Sequence, residues 1–344
     1  MTIDMPFVEK FLLELLAIPS VPGDCEAAAE RVRKEFDALG LSWRTTPKGA
    51  VVGVWPGQEA GDERLVSAHV DTLGAVVRQI KSTGRLKLLP IGGFAWGAME
   101  GENLLVRTAD GREFSGSLLP EKASIHAFSE TVREAPRNDD TVEVRLDAPV
   151  SCKEDVEKLG IAPGDFVFFD PRPVITGEGF IKARFLDDKA SVACLFGALR
   201  AMKAQGLSPR KTTHFYISNH EEIGHGVARF PDAVTEFVAL DIGIVAEGTE
   251  SSEHCVTIAA RDSRSPYHLP LRRRLTSLAR ERGIDFRTDV FYRYGSDATI
   301  AVLQGADVAF ACFGPGVDAT HHYERTHRKA LEETARLLVA YLTA

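Results

Sequence analysis

His220-Glu221-Glu222-Ile223-Gly224-His225-Gly226 follows closely on an apolar, β-rich run, His214-Phe215-Tyr216-Ile217-Ser218. That order places two adjacent carboxylates at the end of a strand. In an open α/β sheet the strand ends line the ligand crevice. Neighbouring acids there can divide labour, one holding a metal while the other handles a proton. An acidic loop in solvent would look the same taken alone, so the rest of the chain decides. The stretch is not the helical zinc-protease motif, which needs its second histidine at i+4 on one helix face. Gly224 occupies that place, and His225 comes one residue too late. Gly224 and Gly226 also argue against a helix.

Other segments repeat the theme. Arg64-Leu65-Val66-Ser67-Ala68-His69-Val70-Asp71 reads as a buried strand ending in His-Val-Asp. Residues i and i+2 of a strand share a face, so His69 and Asp71 point the same way, and a carboxylate commonly orients a metal-bound imidazole. Phe180–Leu186 leads into Asp187-Asp188 and then a long helix to about Ala204. One of that pair is expected to cap the helix, leaving the other for chemistry. Phe237-Val238-Ala239-Leu240 ends in Asp241. Gly295-Ser296-Asp297-Ala298 opens a helix, where Asp297 either binds a substrate amine or serves as a cap. Asp318-Ala319-Thr320-His321-His322-Tyr323-Glu324-Arg325-Thr326-His327 is a loop dense in ligand types.

The frame around these residues is that of a soluble α/β protein. At 344 residues the chain exceeds the size at which single cores stop growing, so a large and a smaller domain are expected. The net charge of −8 disfavours nucleic acid or an anionic membrane as partner. No run approaches the apolar length of a membrane span. The N-terminus lacks a basic region followed by an apolar core, and five scattered cysteines contain no CxxC pair. Together these features point to reduced thiols in a cytoplasm. Helices are expected over residues 7–17 and 24–39, followed by strands near 41–45 and 50–55. From Leu73 to about Val174 the texture shifts to short β runs, with a hairpin signal at Asp110-Gly111. The polar stretch 133–140 and Gly92–Gly97 read as loops. The expected organisation is a main α/β domain of residues 1–72 and 176–344 with a small β domain of residues 73–175 inserted. A basic helix over 269–282, a last strand over 307–313 and a closing helix over 329–342 complete the reading.

His69, Asp187, Glu222, Asp241 and a histidine near 321 thus stand at strand ends or helix starts. Five such ligands suit two divalent ions bridged by one carboxylate. Mixed imidazole and carboxylate donors without thiolates fit zinc, cobalt or manganese.

The ordered set His69-Val70-Asp71, Leu186-Asp187-Asp188-Lys189, Glu221-Glu222-Ile223-Gly224 and Leu240-Asp241 resembles the co-catalytic metallopeptidases of the M42 type, the glutamyl- and tetrahedral-aminopeptidase relatives of the zinc-exopeptidase clan. The resemblance spans nearly the whole chain. It implies an α/β/α sandwich with an inserted small β-barrel domain, and two divalent metal ions per subunit, zinc foremost. Short peptide or amide substrates would be cleaved, and the inserted domain would serve assembly, from dimer to dodecamer, or substrate access. Carried over by resemblance, His69 and Asp241 would hold one metal, Glu222 and a C-terminal histidine the other, and Asp187 would bridge them. Glu221 would be the general base and Asp71 would orient His69. Typical relatives show a histidine followed four residues later by glutamate, whereas this loop offers three histidines. His321 fits the distance to the closing helix best, with His322 and His327 as alternatives. The same loop, with His69–Ala75, looks more like a bacterial subgroup associated with an osmoprotectant, N-acetylglutaminylglutamine amide. That suggests an amidohydrolase as the alternative to an aminopeptidase. A metal-independent glycosidase built on Glu221 with Glu222 or Asp187 is a further alternative, and a non-enzymatic scaffold is disfavoured because every ligand type is present. Arg261, Arg264 and Arg293 are candidates to meet an acidic group or amide carbonyl of the substrate.

Overall fold

A computed structural model describes residues 2–344; Met1, where the N-terminal reading begins, lies outside them. Two compact units emerge, one joining the chain up to Asp71 with Arg172–Ala344, the other Thr72–Pro171. The insertion thus ends four residues earlier than the sequence texture indicates, because Val174-Ile175 pairs with a strand of the main sheet.

Among the described residues the main unit is built on one sheet of twelve strands. In chain order these are β1 (Ser42–Thr45), β2 (Val51–Trp55), β3 (Glu59–His69), β4 (Val174–Ile175), β5 (Phe180–Ala183), β6 (Lys211–Ser218), β7 (Val234–Leu240), β8 (Gly243–Val245), β9 (Val256–Arg261), β10 (Phe286–Val290), β11 (Ala309–Asp318) and β12 (Glu324–His327). The spatial order is β1-β2-β6-β3-β7-β11-β12-β5-β4, with β8 and β9 also on β11 and β10 on β9. The four central strands β6, β3, β7 and β11 run parallel. Their near-continuous apolar runs suit a parallel sheet covered on both faces. Register decides the site. Ser218 pairs with His69 and Ala239 with Ser67, so Asp241, two residues beyond, comes level with His69.

Helices α1 (Met5–Leu16), α2 (Glu26–Ala38), α3 (Leu186–Ala204), α4 (Leu269–Glu281), α5 (Asp297–Leu303) and α6 (Arg328–Thr343) complete the unit. α3 is buried on nearly all sides, as its alanine-rich apolar sequence requires. It packs against α1, α6 and β3, while α5 lies against β3, β7 and β11. Leu65, Phe237, Ala239, Cys312, Ala298 and Ala301 form the core between α5 and the sheet. The close approach of α1 to α3 depends on Gly197, where a Cβ would stand 2.5 Å from Val8 Cγ2. The architecture is an α/β/α sandwich. The helices and the last strand fall near the expected positions, although β11 runs on to Asp318 because Gly314 and Gly316 let neighbouring backbone pack closely. The segment read as one loop, 318–327, ends in the short strand β12.

The inserted unit is a closed barrel of six strands among the described residues. Gly74–Ile80, Leu86–Ile91, Val142–Leu146, Glu113–Pro120, Asn103–Arg107 and Phe166–Phe169 follow one another around it. The hairpin at Asp110-Gly111 forms, with Gly111 at φ 85° and its N–H on the Thr108 carbonyl at 2.8 Å. The polar stretch expected as loop begins in a short helix, Glu130–Glu134. Trp96–Ala98 forms a single 3₁₀ turn.

Phe196 of α3 meets Phe11 of α1 and Phe36 of α2 edge-on, with centroids 5.3 and 4.9 Å away, and is fully buried. Phe196→Ala is expected to cost about 3–5 kcal/mol, read as a lower denaturation midpoint. A loss below about 1 kcal/mol would show that the three helices do not depend on this contact.

Candidate metal centre

The C-terminal ends of the parallel strands collect the carboxylates. His69 ends β3, Asp241 follows β7, and Glu221 and Glu222 sit in a turn three and four residues past β6. Asp187 and Asp188 occupy a non-helical start of α3, joined by a cis peptide bond. His321 arrives from the far end of the chain in a left-handed conformation, φ 63°.

Two ligand groups result. Atoms of His69, Asp187 and Asp241 lie within 4.8 Å of one another, and so do atoms of Asp187, Glu222 and His321. Asp187 belongs to both. Its Oδ1 is 3.3 Å from His69 Nε2 and its Oδ2 is 3.4 Å from His321 Nε2. Glu222 Oε2 stands 3.6 Å from His321 Nε2, and Glu221 Oε2 stands 3.7 Å from His69 Nε2. The structure therefore brings together all five expected ligands and the expected base.

The other two histidines are committed elsewhere. His327 Nε2 donates to the Glu178 carbonyl at 2.9 Å and its Nδ1 accepts from the Lys329 N–H at 3.1 Å. His322 is exposed, with Nδ1 accepting from the Tyr323 N–H.

The supporting contacts refine several expectations. His69 Nδ1 donates to the backbone carbonyl of Asp71 at 3.0 Å, nearer than the Asp71 carboxylate at 3.5 Å. A carbonyl only accepts, so Nδ1 carries the proton and Nε2 presents its lone pair. The Asp71 carboxylate instead accepts from the Glu222 N–H at 3.0 Å. Asp188 is no helix cap: its Oδ2 accepts from the His69 N–H at 3.1 Å. Asp297 is not the cap of α5 either, since Ser296 takes that place. Nor is it an open acid awaiting an amine. It is 3% exposed, with Oδ2 accepting from the Ser218 hydroxyl at 2.6 Å and Oδ1 from the Val227 N–H at 3.0 Å. Gly226 permits this, because a Cβ there would stand 2.2 Å from Asp297 Oδ1. Asp297 is thus a brace beneath the Glu221–Glu222 turn.

Sequence reasoning missed Glu324. Its Oε1 accepts from the His321 N–H at 3.1 Å and its Oε2 from the Asp187 N–H at 3.2 Å. One buried carboxylate thereby fixes two ligand-bearing backbones 134 residues apart (321 − 187). The only sequence signal was its place in the ligand-dense loop. Arg261, Arg264 and Arg293 are exposed, and among the described residues their side chains make no ion pair.

The electrostatics suit bound cations. Burial raises the Glu221 carboxyl well above its ordinary range, and Asp241, Asp297 and Glu222 add to this while His69 opposes it. Burial likewise pushes Glu222 up to about 7, with His321 opposing and Asp187 adding. Asp241 rises by burial and by the charge of Asp187. Burial would also raise Asp187, but the His321 and His69 rings hold it below the carboxylate range. His69 Nε2 and Glu222 Oε1 are buried without a hydrogen-bond partner. Unsatisfied buried donors and acceptors are uncommon, and a lone pair beside crowded carboxylates is what a divalent cation needs. The residues present fit two such ions.

The family model for M42 glutamyl aminopeptidases matches residues 49–337. The chain belongs to the M42 peptidase family. It is accordingly a peptide hydrolase. YhfE of Bacillus subtilis, named provisionally as an aminopeptidase, is 41% identical over 334 residues, covering 97% of this chain and 96% of its own. The aminopeptidase APDkam598 of Desulfurococcus kamchatkensis shares the fold at TM-score 0.87, with 21% identity over 98% of this chain and 95% of its own. The TET1 peptidase of Pyrococcus horikoshii does so at 0.81, with 19% identity over 98% of this chain and 99% of its own.

Glu324→Ala is expected to weaken metal retention about 10- to 100-fold, the usual effect of losing a group that orients ligands. Competition with a chelator reads this directly. Unchanged retention would show that Asp187 and His321 hold position without Glu324.

Proposed function

We propose that this M42 hydrolase is a two-metal aminopeptidase acting on short peptides. The observation that carries the reading is the sharing of Asp187 between two ligand groups. His69 and Asp241 would hold one divalent ion, Glu222 and His321 the other, and Asp187 both. Zinc is the first choice, with cobalt or manganese as alternatives. When bound, the ions would supply Lewis-acid activation of the amide carbonyl and of water.

The chain's own residues do the rest. Glu221 is held by the turn that Asp71 and Asp297 brace, and its raised proton affinity suits a group that takes up a proton and passes it on. It takes the proton of the attacking water and delivers it to the amide nitrogen as the C–N bond breaks. Asp71 and Asp188 fix His69 through ring and backbone. Asp297 supports the turn, so recognition of the substrate amine falls to the acidic centre itself. Arg261, Arg264 and Arg293 are available to an acidic substrate group. R261, R264 and R293 charge-removing variants that keep the wild-type preference for acidic over neutral substrates would sink that assignment.

The alternative retained is an amidohydrolase acting on an N-acetylated glutamine dipeptide amide, as in the osmoprotectant-associated subgroup. Assembly into homo-oligomers through the barrel unit is also proposed; the relative from Pyrococcus horikoshii is described as forming a tetrahedron or an octahedral shell. A cytoplasmic site of action accords with five free thiols, and among the described residues no helix is long and apolar enough to cross a membrane.

Hydrolysis of free-amino-terminal peptides and of N-acetylated glutamine dipeptide amides, before and after chelation and metal restoration, separates the readings. Metal-dependent cleavage of the free peptides is expected. Cleavage of blocked amides alone would replace the aminopeptidase reading, and cleavage that survives chelation would favour a metal-independent mechanism. Glu221→Gln should retain its metals, measured by elemental analysis, yet lose about 10²- to 10⁴-fold in kcat. Near-wild-type turnover would remove Glu221 from the chemistry.

A further inference from the structure

A cavity of about 340 Å³ opens beside the Glu221 turn, and the metal centre uses none of the residues that line it. Cys25, Glu26, Lys48, Gly49, Asn219 and His220 are among them. His220 immediately precedes Glu221, so cavity wall and proton carrier are one residue apart along the chain.

Lys48 is the cation of this cavity. It sits half-buried at the tip of the β1–β2 turn. The tip is seated tightly: Asn219 Nδ2 donates to the Lys48 carbonyl at 2.7 Å, and a Cβ on Gly49 would stand 3.0 Å from the same nitrogen. The ammonium donates to the His225 carbonyl and lies 3.2 Å from His225 Nδ1. An ammonium has three N–H groups, so a donor remains beyond these two contacts. Among the described residues no carboxylate pairs with Lys48. Glu26, the acid on the wall, is engaged by Arg33 at 2.5 Å. A lysine without an ion-pair partner therefore borders a centre crowded with carboxylates; burial lowers its proton affinity, and the charges of Asp297 and Asp71 oppose that.

We propose that this cavity receives a substrate carboxylate on the leaving side of the scissile bond, which makes short peptides with a carboxylate in reach of Lys48 the preferred substrates. The inference rests on the aminopeptidase reading and adds a substrate class to it. A short peptide carries an ammonium at one end and a carboxylate at the other. The acidic centre attracts the first and repels the second, and Lys48 offers the second a seat on one flank. Glu221 must reach the leaving nitrogen to protonate it, and because His220 on the cavity wall adjoins Glu221 in the chain, a short leaving part can run on into the cavity that Lys48 lines. A free C-terminus and an acidic side chain just beyond the scissile bond present the same group, and the size of the cavity sits at the small end of ligand pockets.

The test compares kcat/KM of the metal-loaded protein on Ala-Ala, Ala-Ala amide, Ala-Glu amide and Ala-Gln amide. Wild type should favour Ala-Ala over its amide by at least about tenfold, about 1.4 kcal/mol, through KM. If the carboxylate comes from a side chain, the same margin should instead separate Ala-Glu amide from Ala-Gln amide. Lys48→Met should erase the margin, Lys48→Arg should keep much of it, and Lys48→Glu should reverse it. Because Lys48 also holds the His225 carbonyl, a uniform drop in kcat on all four substrates with the margin intact would assign it to loop support and overturn the proposal. Equal wild-type rates on all four would overturn it without any variant and leave the aminopeptidase reading standing. Turnover of none of the peptides would overturn both.

Discussion

The structure depends on confining more carboxylates in one buried place than they would occupy by themselves. Asp187, Glu221, Glu222 and Asp241 converge within a few ångströms, and the ligand groups hold two imidazole rings but no lysine or arginine to offset them. Two like charges 4 Å apart repel by about 4 kcal/mol at an effective dielectric of 20. Such a cluster survives because the sheet leaves it no alternative. Three of the four parallel strands, β3, β6 and β7, end at one level, their registers are fixed by apolar side chains on both faces, and Glu221, Glu222 and Asp241 stand just past those ends while Asp187 enters from the start of α3.

A second group of acids keeps the first in place. Asp71, Asp188, Asp297 and Glu324 accept hydrogen bonds from backbone N–H groups of Glu222, His69, Val227, His321 and Asp187. A carboxylate bonded to backbone amides is a strong acceptor with fixed geometry, so each brace converts a flexible turn into a defined position. The arrangement separates binding from bracing: the acids nearest the two histidine rings face inward, and those behind them face the chain.

Much of this was legible in the sequence, for particular reasons. His69 and Asp241 could be placed because buried strands are continuous apolar runs whose ends are visible. Glu221 and Glu222 were legible because an acidic pair interrupts such a run. The braces were not. Glu324 is one acid in a loop full of ligand types, and nothing local distinguishes the carboxylate that faces the metal site from the one that holds its backbone. Asp297 was read as an open acid or a cap because its true partners, Ser218 and Val227, lie more than 69 residues away in the chain. The helix-cap reading of the Asp187-Asp188 pair failed for the same reason, since Asp188 is satisfied by the distant His69 amide. The C-terminal limit of the inserted unit was displaced by four residues because a two-residue strand, Val174-Ile175, carries too little pattern to reveal its sheet.

The separation of these residues along the chain also governs when the site comes into being. The two groups draw on positions from 69 to 321, with the barrel sequence spliced in directly after Asp71. A chain emerging from the ribosome would have the means to build the barrel from local antiparallel hairpins long before His321 and Glu324 are synthesised. Until they arrive, Asp187 lacks one of its two imidazoles and its backbone clamp. A growing polypeptide of this sequence therefore carries an incomplete second ligand group until His321, near its end, has been made.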